Sequence, residues 1–326
     1  MKLAPLALAL VAALAAIAAP ARAQDTTRHD TAATVAPSPE PPTAFAPPAG
    51  VPEKVDIITP HITDSHELEI PGYGEYELPR WAPVHVLGKP VDLSPTKHVV
   101  MLLIAAFLCL ATMFAAARGA VRQTAEQGHT SGFSGAVETV VIFVRNEVVL
   151  PNVGPHGEGF APFVLTIFFF ILYANLLGLI PYGSTATGNI SVTATLAIIT
   201  FFVIEGATMA ALGWGYIGTV IYWPHDMPLA MKLPMTLIMT PVELISKFTK
   251  PFALAIRLFA NMTAGHVVLL AFISLIFTFH SWSVAFAPAV MGVAMSLLEL
   301  MVAFLQAFIF SLLASVFIGL GRQAAH

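Results

Sequence analysis

The sequence predicts an all-α polytopic membrane protein, and two observations lead there. Hydrophobic residues make up 57% of the 326 residues and charged ones only 10%, whereas soluble domains carry about 25% charged residues. Apolar runs also recur from Val99 onward, each near or above the ~20 residues that cross a bilayer as a helix. The mean hydropathy is +0.79. A net charge of −4 without any Lys/Arg run gives no sign of a nucleic-acid partner. Cys109, the only cysteine, excludes a disulfide framework and cysteine-based metal sites.

The chain divides into regions of different character. Residues 1–23 read as a signal peptide: Lys2, an apolar stretch from Leu3 to Ala19, then "ARA" before Gln24. Residues 24–53 are rich in Pro and Ala ("APSPEPP", "APPAGVP") and read as a disordered linker. Residues 54–97 form an exported, periplasmic segment. Within it, "HELEIPGYGEYELP" predicts two short strands around a Pro-Gly turn. His61, Asp64, His66 and Glu67 read as a solvated loop and not as a metal site. Residues 98–322 form the membrane domain, and residues 323–326 a cytoplasmic tail.

The first span runs from about His98 to Ala117. Arg118 and Arg122 follow it and place its end on the cytoplasmic side. Residues 131–150, with Glu138, Arg145 and Glu147 among valines, read as an amphipathic helix on the cytoplasmic surface. Residues 160–181 return outward and 190–212 come back in. Glu205, within the latter, is expected to face protein. Asn175 and Asn189 read as helix–helix or capping hydrogen bonders. A loop broken by Pro224, Pro228 and Pro234 follows. The last two of the five crossing segments, about 235–279 and 288–321, would extend roughly 65 and 50 Å, against a hydrocarbon core of about 30 Å. They form a hairpin through a turn near 280–283 and must tilt steeply, bend or lie partly along the interface. Pro241 and Pro251 offer bend points, and Arg322 places the C-terminus inside.

The polar residues of these two segments are ordered. Relative to Glu243, Ser246, Lys250, Arg257 and Asn261 fall at roughly −60°, −20°, −40° and 0° around a helix. Five polar residues thus share one stripe, which should meet protein or water but never lipid. On the last segment, Glu299 and Gln306 share a face with the small residues Gly292, Ser296 and Ala303, which permit close helix approach. His266 lies nine residues from Arg257 and so points to the other side, where it is placed to meet Glu299 across the hairpin. Glutamate and histidine can relay protons; arginine cannot, because it never gives its proton up. Arg257 therefore either pairs with a glutamate to fix packing, or serves as a fixed charge that keeps a passing carboxylate ionised.

The strings "PVELISKFTKPFALAIRLFANMTAGH" and "LLELMVAFLQAFIFSLLASVFI" resemble the two signature helices of subunit a of the F-type ATP synthases, and "FFFILYANLLGLIPY" resembles an earlier span of that family. The resemblance covers roughly residues 98–322. It implies a proton-conducting stator, not itself an enzyme, beside a ring of c subunits and bound to peripheral-stalk b subunits. It implies that Arg257 is the stator arginine, that Asn261 is its neighbouring asparagine and that Gln306 is the family's glutamine. His266 and Glu299 would be the proton-path pair, in the order of mitochondrial-type members. Glu243 would be the acidic residue of the arginine-bearing helix. The implied setting is a bacterial inner membrane, with the N-terminus periplasmic and the C-terminus cytoplasmic. The competing reading is a proton-coupled secondary transporter, which would show paired repeats with broken helices; none is visible. An intramembrane hydrolase would need a motif such as HExxH or GxSxG, and neither occurs. No phosphate-binding Gly-rich loop or cofactor motif is present.

Overall fold

The computed structural model describes residues 65–323 except 66, 71–73, 82–83, 87–88, 92–93, 181–184, 222, 224–227 and 280–281. The expected signal peptide, the linker, and His61, Asp64 and His66 lie outside the described residues. The described residues before Lys97 contain two antiparallel pairs, β1 (Glu67–Ile70) with β2 (Gly74–Glu77) and β3 (Val84–Val86) with β4 (Lys89–Val91). The first pair is the hairpin expected from "HELEIPGYGEYELP", although its turn residues 71–73 are outside the description.

The rest is helical. Among the described residues, five helices are long and apolar enough to cross a membrane, as the hydropathy pattern predicted. The first, α1 (Lys97–Gln127), runs well past Ala117. The charges after Ala117 mark where hydrocarbon would end and not where the helix ends. Gly128 ends it, with φ 75°, a left-handed conformation that glycine adopts without steric cost, and its N–H bonds to the Thr124 carbonyl. Then come α2 (Gly132–Phe143), a π-helical stretch (Val144–Val149) and α3 (Leu150–Val153), which together replace the single helix expected over 131–150. Val144, Val148, Val149 and Val153 form its buried side.

Next is α4 (Ala161–Gly178), apolar all round and packed against α1 and the last helix. Then α5 (Ile190–Leu212) begins where Asn189 Oδ1 accepts the Ser191 N–H at 2.9 Å, the cap expected of that asparagine. A 3-10 turn (Gly213–Tyr216) and α6 (Ile217–Val220) occupy part of the expected loop. Finally come α7 (Leu229–Phe279) and α8 (Trp282–Gln323), with 51 and 42 residues. Both start earlier than expected. Pro234 and Pro288 lie inside them, and Trp282 and Ser283, assigned above to the turn, belong to α8. At 1.5 Å per residue these helices are about 76 and 63 Å long.

The two run antiparallel: Gly265 meets Glu299, and Lys250 lies over Phe317. The core gathers Ile167, Ile171, Leu258, Met262 and Phe310. Within their most apolar windows, 67% of the α4 span is buried but only 17% of α7, so α7 is the helix this chain leaves most open. The far end of α8 is fixed tightly. Its Gly319 abuts the Asn152 carbonyl, and Arg322 donates to the Val153 and Pro155 carbonyls at 3.3 and 2.9 Å. A Gly319→Val side chain would meet backbone, which cannot swing aside. It is expected to cost about 1–3 kcal/mol or more, read as loss of the subunit from purified membranes while Leu320→Val, at an exposed site, accumulates normally.

Candidate functional site

The α7 stripe is exposed along its length: Glu243, Ser246, Lys250, Arg257 and Asn261 all lie open. It borders the buried face that carries Leu254, Leu258 and Met262. Arg257 makes no hydrogen bond or ion pair among the described residues, and neither does Glu243. The packing alternative for Arg257, a glutamate partner within this chain, is thus not realised there. An unpaired guanidinium in an apolar segment requires water or another polar surface against it. Lys250 differs, its ammonium lying 5.3 Å from the Phe317 ring centre.

Glu299 occupies the opposite environment. It is 3% exposed, on the face of α8 that also buries Ala303 and Gln306. Its carboxylate sits directly on the backbone of Gly265: a Cβ added there would lie 3.2 Å from Oε1 and 3.3 Å from Cδ. The absence of a side chain at 265 therefore makes the room that the carboxylate fills. His266, the next residue, is half-buried, so the structure brings Glu299 to the turn of α7 that carries His266 and away from the exposed stripe. Glu299 Oε1 accepts no hydrogen bond from the described residues, and a buried oxygen left so is costly unless a proton or water joins it.

One helical turn further along α8, the Ala303 carbonyl accepts from Asn175 Nδ2 at 3.3 Å, and Asn175 Oδ1 accepts from Thr187 Oγ at 2.7 Å. Asn175 is thus the helix–helix hydrogen bonder expected of it. Gln306 lies on the same buried face. The polar groups consequently separate into two sets: Glu299, His266, Gln306 and Asn175 within the bundle, and Arg257, Asn261, Lys250 and Glu243 on its surface. Among the described residues no cluster of His, Cys, Asp and Glu is suited to a metal.

A third set was not anticipated. Lys247 Nζ lies 3.0 Å from Glu205 Oε2 and 3.0 Å from Thr219 Oγ, and 4.6 Å from the centre of the Tyr216 ring. Tyr216 donates to the same Glu205 oxygen at 2.6 Å. Glu205 does face protein, as its apolar setting required, and Lys247 is its partner. The signal was the rule that an intramembrane acid needs a base at its own depth. The sequence alone offers Lys247 only as a neighbour of the α7 stripe.

The fold and the site together define an all-α polytopic membrane protein with ionisable groups inside its spans. The chain belongs to the ATP synthase A chain family, whose model matches residues 99–319. It is 45% identical over 270 residues to ATP synthase subunit a of Chloroherpeton thalassium, covering 82% of this chain and 77% of that one. It is 43% identical over 305 residues to ATP synthase subunit a 2 of Chlorobium luteolum, covering 90% and 85%. It is also 41% identical over 274 residues to ATP synthase subunit a of Anaeromyxobacter dehalogenans, covering 81% and 70%. Ninety per cent coverage exceeds what residues 97–326 alone supply, so the second similarity extends into the N-terminal region.

Proposed function

We propose that this chain is the proton-conducting stator of the membrane sector of an F-type ATP synthase. The observation that carries this reading is Arg257: a permanent charge, unpaired among the described residues, on the exposed face of the least covered helix. Protons enter from the periplasmic side by His266 and Glu299, pass to a carboxylate of the c-subunit ring, and leave toward the cytoplasm by Glu243. Arg257 separates the two half-channels, because it holds an arriving ring carboxylate ionised and can pass no proton itself. Asn261 and Gln306 line the path. Rotation of the ring then drives ATP synthesis in catalytic subunits elsewhere, so this chain forms and breaks no substrate bond itself.

Helices of about 76 and 63 Å cannot stand upright in about 30 Å of hydrocarbon; α7 and α8 tilt steeply and lie along the ring. The helical segment from 132 to 153 (α2, the π-helical stretch and α3) rests on the cytoplasmic surface. Residues 1–23 are removed on export, 24–53 form a linker, and 54–97 lie in the periplasm.

Cross-linking tests the ring contact. In a Cys109→Ala background, Asn261→Cys on the exposed stripe is expected to form a disulfide with a cysteine placed beside the ring carboxylate. Phe252→Cys, exposed on another side of α7, is expected not to. Purification without any ring of small two-helix subunits, or equal cross-linking at both positions, would sink the reading.

A further inference from the structure

Glu205 and Lys247 are intramembrane charges for which the proton path has no use. Lys247 follows Glu243 by four residues on α7. Glutamate followed by lysine at that spacing is the favourable order for an ion pair on one helix. Yet the lysine ignores this neighbour. Its ammonium is engaged by Glu205, by Thr219 and by the ring of Tyr216, at the distances given above. These partners come from α5, from the 3-10 turn and from α6, so three successive elements each supply one contact to the ammonium. The pair is largely enclosed, with side-chain exposures of 11% and 14%.

Other charges on the described residues do not replace Lys247 beside Glu243. On α7 itself, Lys232 lies over Trp223 and Lys250 over Phe317, while Arg257 stands fourteen residues away. From α5 comes Glu205, and from the 3-10 turn Tyr216, both bound to one another. From α8, the antiparallel packing brings Arg322 to the level of Glu243, but its guanidinium is spent on the Val153 and Pro155 carbonyls and lies over the Phe160 ring.

We propose that Glu205 is a positioning residue of the proton path: it holds Lys247 away from Glu243 and so leaves the Glu243 carboxylate unpaired and able to exchange protons. The inference rests on the exit role given to Glu243 above. A carboxylate locked to an ammonium stays ionised over the working range. It would then take up a proton only in more acid medium, and the cytoplasmic half-channel would lose its exchangeable group. Glu205 carries no proton in this scheme; it acts only through Lys247.

The test uses the whole ATP synthase in inverted membrane vesicles, whose cytoplasmic face meets the medium. ATP-driven proton uptake is measured against the pH of that medium, with subunit content as the check on assembly. Glu205→Gln is expected to cut uptake several-fold at pH 8 and to move the alkaline limb about one pH unit to lower pH, the size expected for a new neighbouring opposite charge. Adding Lys247→Gln to Glu205→Gln should restore the original limb, which a purely structural role of Glu205 would not allow. Should Glu205→Gln fail to accumulate, Tyr216→Phe with Thr219→Val loosens the clamp without stranding a charge, and should shift the limb the same way by less.

An unshifted limb in whichever of these variants assembles would overturn the proposal, as would a double variant no better than Glu205→Gln. Glu243→Gln keeps the two failures apart. Full uptake by that variant removes the exit role of Glu243 and the proposal with it; impaired uptake beside an unshifted Glu205→Gln removes the proposal alone.

Discussion

Arg257→Ala is expected to reduce proton-driven ATP synthesis to background while the subunit still inserts and assembles. The second half of that expectation comes from packing. Arg257 is exposed and makes no hydrogen bond or ion pair among the described residues, so its removal leaves no buried partner stranded. The first half comes from charge. Each proton crossing the membrane delivers about 2.3 kcal/mol per 100 mV, and in the proposed mechanism that energy reaches the ring only if the proton cannot pass straight between the half-channels. Without the guanidinium, nothing in the proposed path holds the ring carboxylate ionised at the crossing point. A second sign should therefore accompany the loss: vesicles carrying the variant should dissipate a potential faster than wild type when no ATP is present. Arg257→Lys is the informative companion. It restores charge, but as a group that deprotonates far more readily when dehydrated and lacks the planar fork of donors, so it should recover little synthesis. Normal synthesis by Arg257→Ala, with the subunit present in normal amount, would remove the arginine from the mechanism.

What the sequence made legible follows the range of each signal. Hydropathy located the five spans, and α5 begins and ends where the apolar run 190–212 does. Helix ends were less visible where the chain leaves the hydrocarbon without changing conformation: α1 continues to Gln127 because its later residues are good helix formers in water too. Pro234 reads as a loop breaker, yet α7 runs through it and through Pro241 and Pro251. Each proline removes one helical donor, a defect that neighbouring helices and polar groups can absorb in a membrane protein.

The site divides along the same line. Periodicity alone placed Glu243, Ser246, Lys250, Arg257 and Asn261 together, because they share one helix. It also sent His266 to the other side, where the Glu299 carboxylate is found against Gly265. The Glu205–Lys247 contact spans 42 residues and two helices, and no pattern along one helix encodes which neighbour a lysine will choose. Glu243, four residues away, was the nearer candidate in sequence. The 3-10 turn that delivers Tyr216 and the helix that delivers Thr219 decide the matter, and both lie in a stretch that reads as a proline-broken loop.

His266→Glu and Glu299→His, made singly, are each expected to depress synthesis at least about tenfold, and the combined exchange to recover much of that loss. The argument is one of complementary groups at one place. Glu299 is buried, its carboxylate lies on the turn that carries His266, and its Oε1 has no donor among the described residues. His266→Glu would put a second acid beside that carboxylate, where two like charges cannot both be ionised. Glu299→His would instead leave two imidazoles and no acid. Either single variant therefore removes one half of the proposed relay and alters the charge its partner sees. The exchange returns one acid and one base to the same turn with their helices reversed, and needs no new backbone position. Neighbouring groups that act together show interaction energies of about 1–2 kcal/mol, which is roughly a five- to thirtyfold difference between the double variant and the product of the two single losses. The room left by Gly265 sets a limit on the recovery, since an imidazole at 299 is bulkier than the carboxylate that now fills that space. Losses that simply multiply would mean that the two residues serve the path independently. A double variant worse than the product of the two single losses, with normal assembly, would mean that the order of acid and base along the path matters more than their pairing.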